Sequence, residues 1–269
     1  QDPENRLLYI ITDASIKYIV GDVDLTQGER FKKDKSIDLN FIDIQAVMKQ
    51  VMAIEFPVLN EQFLPEISRE DRACVLYTSG STGNPKGVIL KHKGIFRVVE
   101  SPNFVTVNSA DKIAQMANEA FDAAQLECWL AWNNGASLVI IDKNTMLDPE
   151  IFREQLLAQK ITIMWLTAAL FHQYAYSQPT LFKQLIYLLV GGDAIDKQAV
   201  QNVLEVSGEE PLRIINGYGP TETSIFALTY PFNEKTLNQY SASPIGRPIN
   251  NTTVQVLTQF GQLAPLGGL

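Results

Sequence analysis

The sequence predicts an α/β protein of mostly parallel sheets flanked by helices. Three observations lead there. Short apolar, β-like runs alternate with segments of helical character along most of the chain. Three segments rich in small and polar residues directly follow such runs: Thr78–Gly87, Gly191–Asp193 and Asn216–Thr223. The chain has 269 residues, 46% of them hydrophobic, which suffices for a sizeable core in one large domain or two small ones. Strands alternating with helices imply βαβ units, whose parallel sheet is covered on both faces.

Taken in order, Pro3–Ile11 is a short helix and Ile16–Val20 a short strand. Lys32–Lys35 is a charged turn. Pro57–Glu70, with two prolines and several acids, is a loop. Ala73–Tyr77 and Gly87–Leu90 are apolar strands, and Lys91–Glu100 a helix. Ile113–Met116 is a strand, Asp122–Asn133 a helix and Ser137–Ile141 a strand. Asp148–Gln159 is a helix with acids in its first turn, where the macrodipole favours them. Ile161–Leu166 and Leu185–Val190 are strands, Asp196–Val206 a helix and Leu212–Ile215 a strand. There is no internal repeat and no low-complexity tract.

Composition narrows the function. A net charge of −8 and a pI near 4.9 argue against a nucleic-acid surface. No apolar run reaches the ~18 residues a membrane-spanning helix needs. The opening residues, Gln-Asp-Pro-Glu-Asn-Arg, are polar and are not a signal peptide. Without an initiator methionine, the sequence is expected to be a piece of a longer chain. Cys74 and Cys128 lie far apart in apolar surroundings, as two buried, reduced thiols of a cytoplasmic protein would. His92 and His172 do not stand at metal-ligand spacing with another His or Cys.

In folds of this class, ligands gather at the carboxyl ends of the strands. Three polar segments on that rim describe one site. The first, "YTSGSTGNPKG" from Tyr77 to Gly87, is open to two readings. Glycine, serine, threonine, asparagine and proline suit an ordinary hairpin loop. They also suit a polyphosphate cradle, in which backbone N–H groups form a concave array, hydroxyls add donors and Lys86 adds a positive charge. A Walker A loop is excluded, because Lys86 is followed by Gly87 and β-rich Val88-Ile89-Leu90 instead of Ser or Thr and a helix.

Leu76–Val88, "LYTSGSTGNPKGV", resembles the phosphate loop of the adenylate-forming (AMP-binding) superfamily, whose members include acyl-CoA synthetases, luciferases and the adenylation domains of nonribosomal peptide synthetases. Asn216–Ser224, "NGYGPTETS", is similar to that family's nucleotide motif, and Ile245–Pro248, "IGRP", to the segment after it. Phe121–Glu127, "FDAAQLE", resembles the amino-acid-specific form F-D-x-S-x-x-E, with Ala124 in place of the serine. The resemblance covers nearly the whole chain, from the helix at Pro3 to a strand near Val254. It identifies the chain as similar to an amino-acid adenylation domain.

The resemblance implies the following roles. Thr78, Ser79, Gly80, Ser81, Thr82, Gly83 and Lys86 belong to the loop that holds the β- and γ-phosphates of ATP. Tyr218 stacks on adenine and Asn216 bonds its edge. Gly217 and Gly219 belong to the same nucleotide segment, and Gly191 and Gly192 let backbone approach adenine and substrate closely. Thr221 donates to the α-phosphate and Glu222 holds Mg²⁺, which prefers oxygen ligands and phosphate partners. Lys86, Thr221 and Glu222 form the catalytic set. Asp122 pairs with the substrate α-ammonium, its alternative being a helix N-cap. Ala123, Leu126, Trp165, Leu189, Gly191, Gly217, Ile225 and Phe226 line an apolar side-chain pocket. Trp165 and Phe226 shorten this pocket while the glycines and Ala123 leave width.

The implied function is ATP- and Mg²⁺-dependent activation of a small apolar amino acid as its aminoacyl-adenylate, and its transfer to the phosphopantetheine thiol of a peptidyl carrier protein among neighbouring synthetase domains. The alternatives are an acyl- or aryl-CoA ligase of the same superfamily, which has no amine for Asp122 to bind, and a catalytically silent binding module, which would not require Lys86, Thr221 and Glu222 together. Residues 1–269 correspond to part of the family's large subdomain. The ribose-binding aspartate, hinge and small C-terminal subdomain with its lysine are expected beyond Leu269, and the start of the large subdomain before Gln1.

Overall fold

A computed structural model of the chain describes residues 4–22, 39–52, 65–79, 84–207, 212–234, 237 and 239–265. Lys32–Lys35 and the first part of the expected loop at 57–70 lie outside them. The chain divides into two compact units, Gln1–Asp71 with Tyr77–Val88, and Arg72–Leu76 with Ile89–Leu269.

The first unit carries α1 (Glu4–Asp13), β1 (Tyr18–Gly21), β2 (Asn40–Asp43) and α2 (Ile44–Met52). β1 and β2 pair in parallel, Tyr18 opposite Asn40 through Gly21 opposite Asp43. The Tyr77 hydroxyl donates to Asp13 Oδ2 at 2.7 Å. Burial and this bond to a carboxylate push the Tyr77 phenol up to about 12. β3 (Arg72–Thr78) and β4 (Lys86–Lys91) form a two-stranded sheet and are each divided between the units.

The second unit holds α3 (His92–Val99), β5 (Lys112–Gln115), α4 (Asp122–Asn133), β6 (Ser137–Ile140), α5 (Pro149–Gln159), β7 (Ile163–Thr167), α6 (Ala168–Ser177), β8 (Tyr187–Gly191), α7 (Lys197–Val206), β9 (Arg213–Tyr218), β10 (Leu228–Pro231) and β11 (Arg247–Pro248). Seven strands make one sheet in the order β11-β10-β9-β8-β7-β5-β6. The pairings from β6 through β9 are parallel, and β10 and β11 are added antiparallel. The α/β, mostly parallel architecture is as the alternation predicts.

Side chains alternate across a strand, so each strand feeds both faces. Ala114, Met164, Leu166, Leu188, Val190 and Ile214 enter one core cluster with α5, α6 and α7. Ile113, Ile163, Tyr187, Leu189 and Ile215 enter the other with α3 and α4. β8, in the middle, is buried at all five positions, which explains its unbroken apolar run. Helix starts follow capping chemistry. Asp148 Oδ1 accepts from the amides of Glu150 and Ile151 at 3.0 and 3.2 Å ahead of Pro149. Asp196 Oδ1 accepts from Gln198 N at 2.9 Å, and Thr167 Oγ1 from Leu170 N at 3.4 Å.

Several expectations need correction. The strand expected at Leu212–Ile215 runs on to Tyr218, because Asn216, Gly217 and Tyr218 pair with β8 or β10 instead of turning. Gly191 likewise closes β8. The stretch near Val254 is not a strand; among the described residues an isolated bridge, Leu257 to Leu263, follows it. The two cysteines are free but half-buried, not fully buried. No helix among the described residues is long and apolar enough to cross a membrane.

Candidate functional site

The strand order reverses beside β5. After β5 the chain moves to the edge strand β6, then returns past β5 to β7 and onward. Such a switch point leaves a crevice at the carboxyl ends of the strands on either side. A cavity of about 390 Å³ lies there. Met116, Ala117 and Asn118 line it from the end of β5, and Phe121, Asp122 and Ala123 from the start of α4. Trp165, Leu166, Thr167 and Leu170 come from the β7–α6 junction, and Met146 from a short 3₁₀ turn. Gly192, Gly217, Gly219, Ile225 and Phe226 close the far side. Asp122 is the one ionisable side chain among these. The Trp165 indole N–H is buried without a hydrogen-bond partner among the described residues.

Asp122 is not a cap. Phe121 holds the N-cap position, and Asp122 is the first residue of the helix proper. Its carboxylate accepts from the Thr221 hydroxyl, from the Ile225 N–H, and from its own and the Ala123 amides. Burial nevertheless prevails and holds its pKa above the ordinary aspartate value. A partly desolvated carboxylate in the lining of an apolar chamber is suited to a cation that brings its own apolar group.

One residue beyond those assigned from the sequence shapes the chamber. Glu127, 1% exposed, accepts from Met116 N at 3.1 Å and from Ala117 N at 3.1 Å through Oε2. It therefore fixes the lining segment that leaves β5. Burial, opposed by these two amides, pushes its carboxyl up to about 8.

The residues assigned to the side-chain pocket divide. Asp122, Ala123, Trp165, Gly217, Ile225 and Phe226 meet at the cavity. Leu126 and Leu189, each 1% exposed, sit in the core cluster instead, because their strand and helix faces point into the sheet packing. Gly191 also does not line the cavity: a Cβ there would stand 2.5 Å from Gly217 O. The glycines do not leave width. The Phe226 ring lies over Gly217, where a Cβ would come within 2.4 Å of it, so the ring occupies the space the glycine frees. Met116, Asn118, Met146 and Leu170 were not foreseen, since they come from loops and from a helix without a sequence signal of their own.

The nucleotide-assigned residues are placed as follows. In the first unit, Thr78 ends β3, Ser79 follows it, and Lys86 opens β4 with an exposed side chain. Gly80, Ser81, Thr82 and Gly83 lie outside the described residues. In the second unit, Tyr218 is 48% exposed and borders an open groove with Pro220, Thr223 and Thr252. Asn216 is buried and donates through Nδ2 to Pro244 O at 2.8 Å. Gly192 has φ of +89°, a conformation only glycine takes readily, and Gly192 and Gly219 border the cavity. Thr221 and Glu222 form a single 3₁₀ turn, with Glu222 exposed and the Thr221 hydroxyl given to Asp122. Among the described residues there is no group of three His, Cys, Asp or Glu side chains that could hold a metal.

The family model for the AMP-binding enzyme matches residues 1–268. Malpibaldin synthetase of Mortierella alpina is 36% identical over 267 residues, covering 99% of this chain and 5% of that protein. Across the curated relatives it matches, the chain spans between 3% and 7% of their length. The N-terminal subdomain of Klebsiella oxytoca NpsA, solved in complex with 3-hydroxybenzoyl-AMSN, matches with a TM-score of 0.81 at 22% identity, covering 98% of this chain and 63% of that one. NpsA-ThdA of the same organism, an artificially fused adenylation–PCP di-domain, matches at 0.82 and 23% identity, covering 99% and 50%. At these identities the two structures bear on the fold.

Proposed function

This chain belongs to the AMP-binding enzyme family, and on that premise we propose that it activates a small apolar amino acid with ATP, as part of the large subdomain of a nonribosomal peptide synthetase adenylation domain. The substrate carboxylate attacks the α-phosphorus of ATP, the bond from that phosphorus to the β-phosphate's bridging oxygen breaks, and pyrophosphate leaves. The thiol of a carrier protein's phosphopantetheine arm then attacks the carbonyl carbon and releases AMP. Most of the protein's work in such a step is positioning and charge stabilisation.

The observation that carries this reading is the single carboxylate, Asp122, in the lining of an otherwise uncharged cavity at the switch point. Asp122 takes the α-ammonium, and the side chain enters among Ala123, Trp165, Ile225 and Phe226. A charged side chain there would be buried without a partner, which favours aliphatic groups of valine size. An acyl or aryl acid without an amine would leave Asp122 desolvated and unpaired, which disfavours the CoA-ligase alternative. Thr78, Ser79, Gly80, Ser81, Thr82, Gly83 and Lys86 hold the phosphates and Gly217, Tyr218, Gly219 and Gly192 the adenosine; Asn216 fixes that segment through Pro244 O, and Thr221 serves the α-phosphate by turning its hydroxyl from Asp122. Exposed Glu222 suits Mg²⁺, an ion held by one or two carboxylates together with substrate phosphates. When bound, the ion supplies charge neutralisation on those phosphates. A carrier protein and neighbouring synthetase domains are the partners this reading implies, in line with the adenylation–PCP architecture named for one structural neighbour.

A pyrophosphate-exchange panel of the standard amino acids on the intact domain tests it. We expect exchange with valine-like aliphatics first and a compact aromatic second. Clear preference for Asp, Glu, Lys or Arg would refute the pocket assignment.

A further inference from the structure

Arg97, on α3, makes a set of bonds that the roles above do not use. One terminal nitrogen, Nη2, donates to three backbone carbonyls: Thr223 O at 2.5 Å, Phe226 O at 2.8 Å and Ser224 O at 3.2 Å. The other, Nη1, donates to Thr252 Oγ1. All three carbonyls belong to the turn that leaves Thr221 and Glu222 and delivers Ile225 and Phe226 to the cavity wall. Nη2 has two N–H groups for three carbonyls, so at least one bond is shared, and the planar fork serves Thr252 through Nη1 at the same time.

The turn needs holding. Ser224 and Ile225 take φ of +59° and +71°, two successive left-handed residues without a glycine, one of them β-branched. Ile225 in that conformation donates its N–H to the Asp122 carboxylate and is 3% exposed at the cavity wall. A second observation on α3 concerns the same contact. Gly94, one helical turn from Arg97, lies so close that a Cβ there would stand 2.4 Å from Ser224 Oγ and 3.0 Å from Ser224 Cβ. From the opposite side, a Cβ on Gly219 would meet Ile225 O at 2.4 Å. The turn is packed against Gly94 of α3 and against Gly219, just after β9, with Arg97 fastening its carbonyls.

We propose that Arg97 is a positioning residue for the amino-acid subsite: by fastening the 223–226 turn it sets where the Ile225 amide meets Asp122 and where Ile225 and Phe226 wall the chamber. Arg97 does not line the amino-acid chamber itself; it borders the open groove beside Tyr218 and reaches the chamber through the turn. The proposal rests on the amino-acid reading above. It separates the two substrates, because Ile225 and Phe226 of the turn line the amino-acid chamber.

The test is pyrophosphate exchange in the intact adenylation domain, with the KM for the amino acid and for ATP read separately. For Arg97→Ala we expect the amino-acid KM to rise about tenfold or more, the scale of losing charged hydrogen bonds, with the ATP KM within about twofold. Added guanidinium ion should lower the amino-acid KM of Arg97→Ala again, a rescue that general destabilisation does not give. Gly94→Ala reaches the same turn without touching Arg97 and covers the case in which Arg97→Ala fails to fold. It should raise the amino-acid KM selectively, and Gly94→Ala/Ser224→Gly, which removes the clash and relaxes the left-handed residue, should recover. A raised ATP KM with an unchanged amino-acid KM would make Arg97 a nucleotide residue and overturn the proposal. An active wild type whose folded Arg97→Ala and Gly94→Ala variants both keep their amino-acid KM overturns this proposal alone. A wild type that exchanges with no amino acid overturns the parent reading and this proposal with it.

Discussion

Glu127 shows what one buried carboxyl does to stability. Its carboxyl is pushed up to about 8 by burial, while the unfolded chain restores an ordinary value near 4.5. The folded state therefore binds the proton more tightly. The group's favourable contribution is complete below the unfolded value and is lost as pH rises through about 8. Comparing thermal melts of wild type and Glu127→Gln from pH 4 to 9 isolates this: the wild type's advantage should shrink, or its deficit grow, as pH rises across that window. A difference independent of pH would contradict the burial argument. The motif over Phe121–Glu127 marks both Asp122 and Glu127 in the sequence, but it carries the role of Asp122 and not that of Glu127. Its partners are the backbone amides of Met116 and Ala117, and a bond to backbone leaves no residue-type trace. Gly217 misled for a related reason: the sequence records a missing side chain but not the Phe226 ring that fills the gap.

At the scale of elements, helix starts are where sequence and structure agree most closely. Asp148 was read inside its helix by one residue because capping aspartates and first-turn acids look alike in sequence. Asp148→Ala should cost about 1 kcal/mol by chemical denaturation. Asp122→Asn should cost clearly less, since Phe121 and not Asp122 holds the N-cap position, an asparagine oxygen can still accept from the neighbouring amides, and the charge it removes is already disfavoured by burial. Equal losses would return Asp122 to a structural role. α6 escaped notice because Thr167 both ends β7 and caps the helix, leaving no loop of breakers between them. β9 was cut short for the opposite reason. Asn216 and Gly217 are turn-like residues, but β8 and β10 pair with them from both sides and β10 pairs with Tyr218, and that pairing is invisible along the chain.

Across the whole molecule, strand order decides where chemistry can sit, and strand order is not written locally. Alternation made the parallel sheet legible, but the reversal beside β5 comes from which strands pair at long range. The proposed catalytic set draws on Lys86 at the start of β4 and on Thr221 and Glu222 after β9. In the intact enzyme, Glu222→Gln should shift the Mg²⁺ dependence of pyrophosphate exchange, since it removes a metal-ligand charge, while Lys86→Ala should chiefly raise the ATP KM. Normal activity with unaltered Mg²⁺ dependence in Glu222→Gln would refute the metal assignment. The central claim is that Asp122 makes this an amino-acid site, and one comparison bears on it most directly. Exchange rates are measured for wild type and Asp122→Asn with a valine-sized amino acid and with the same acid lacking its amine. The account predicts a wild-type preference of about a hundredfold or more for the amine, falling to within about tenfold in Asp122→Asn. A wild type indifferent to the amine, or an Asp122→Asn variant that keeps the full preference, would contradict it.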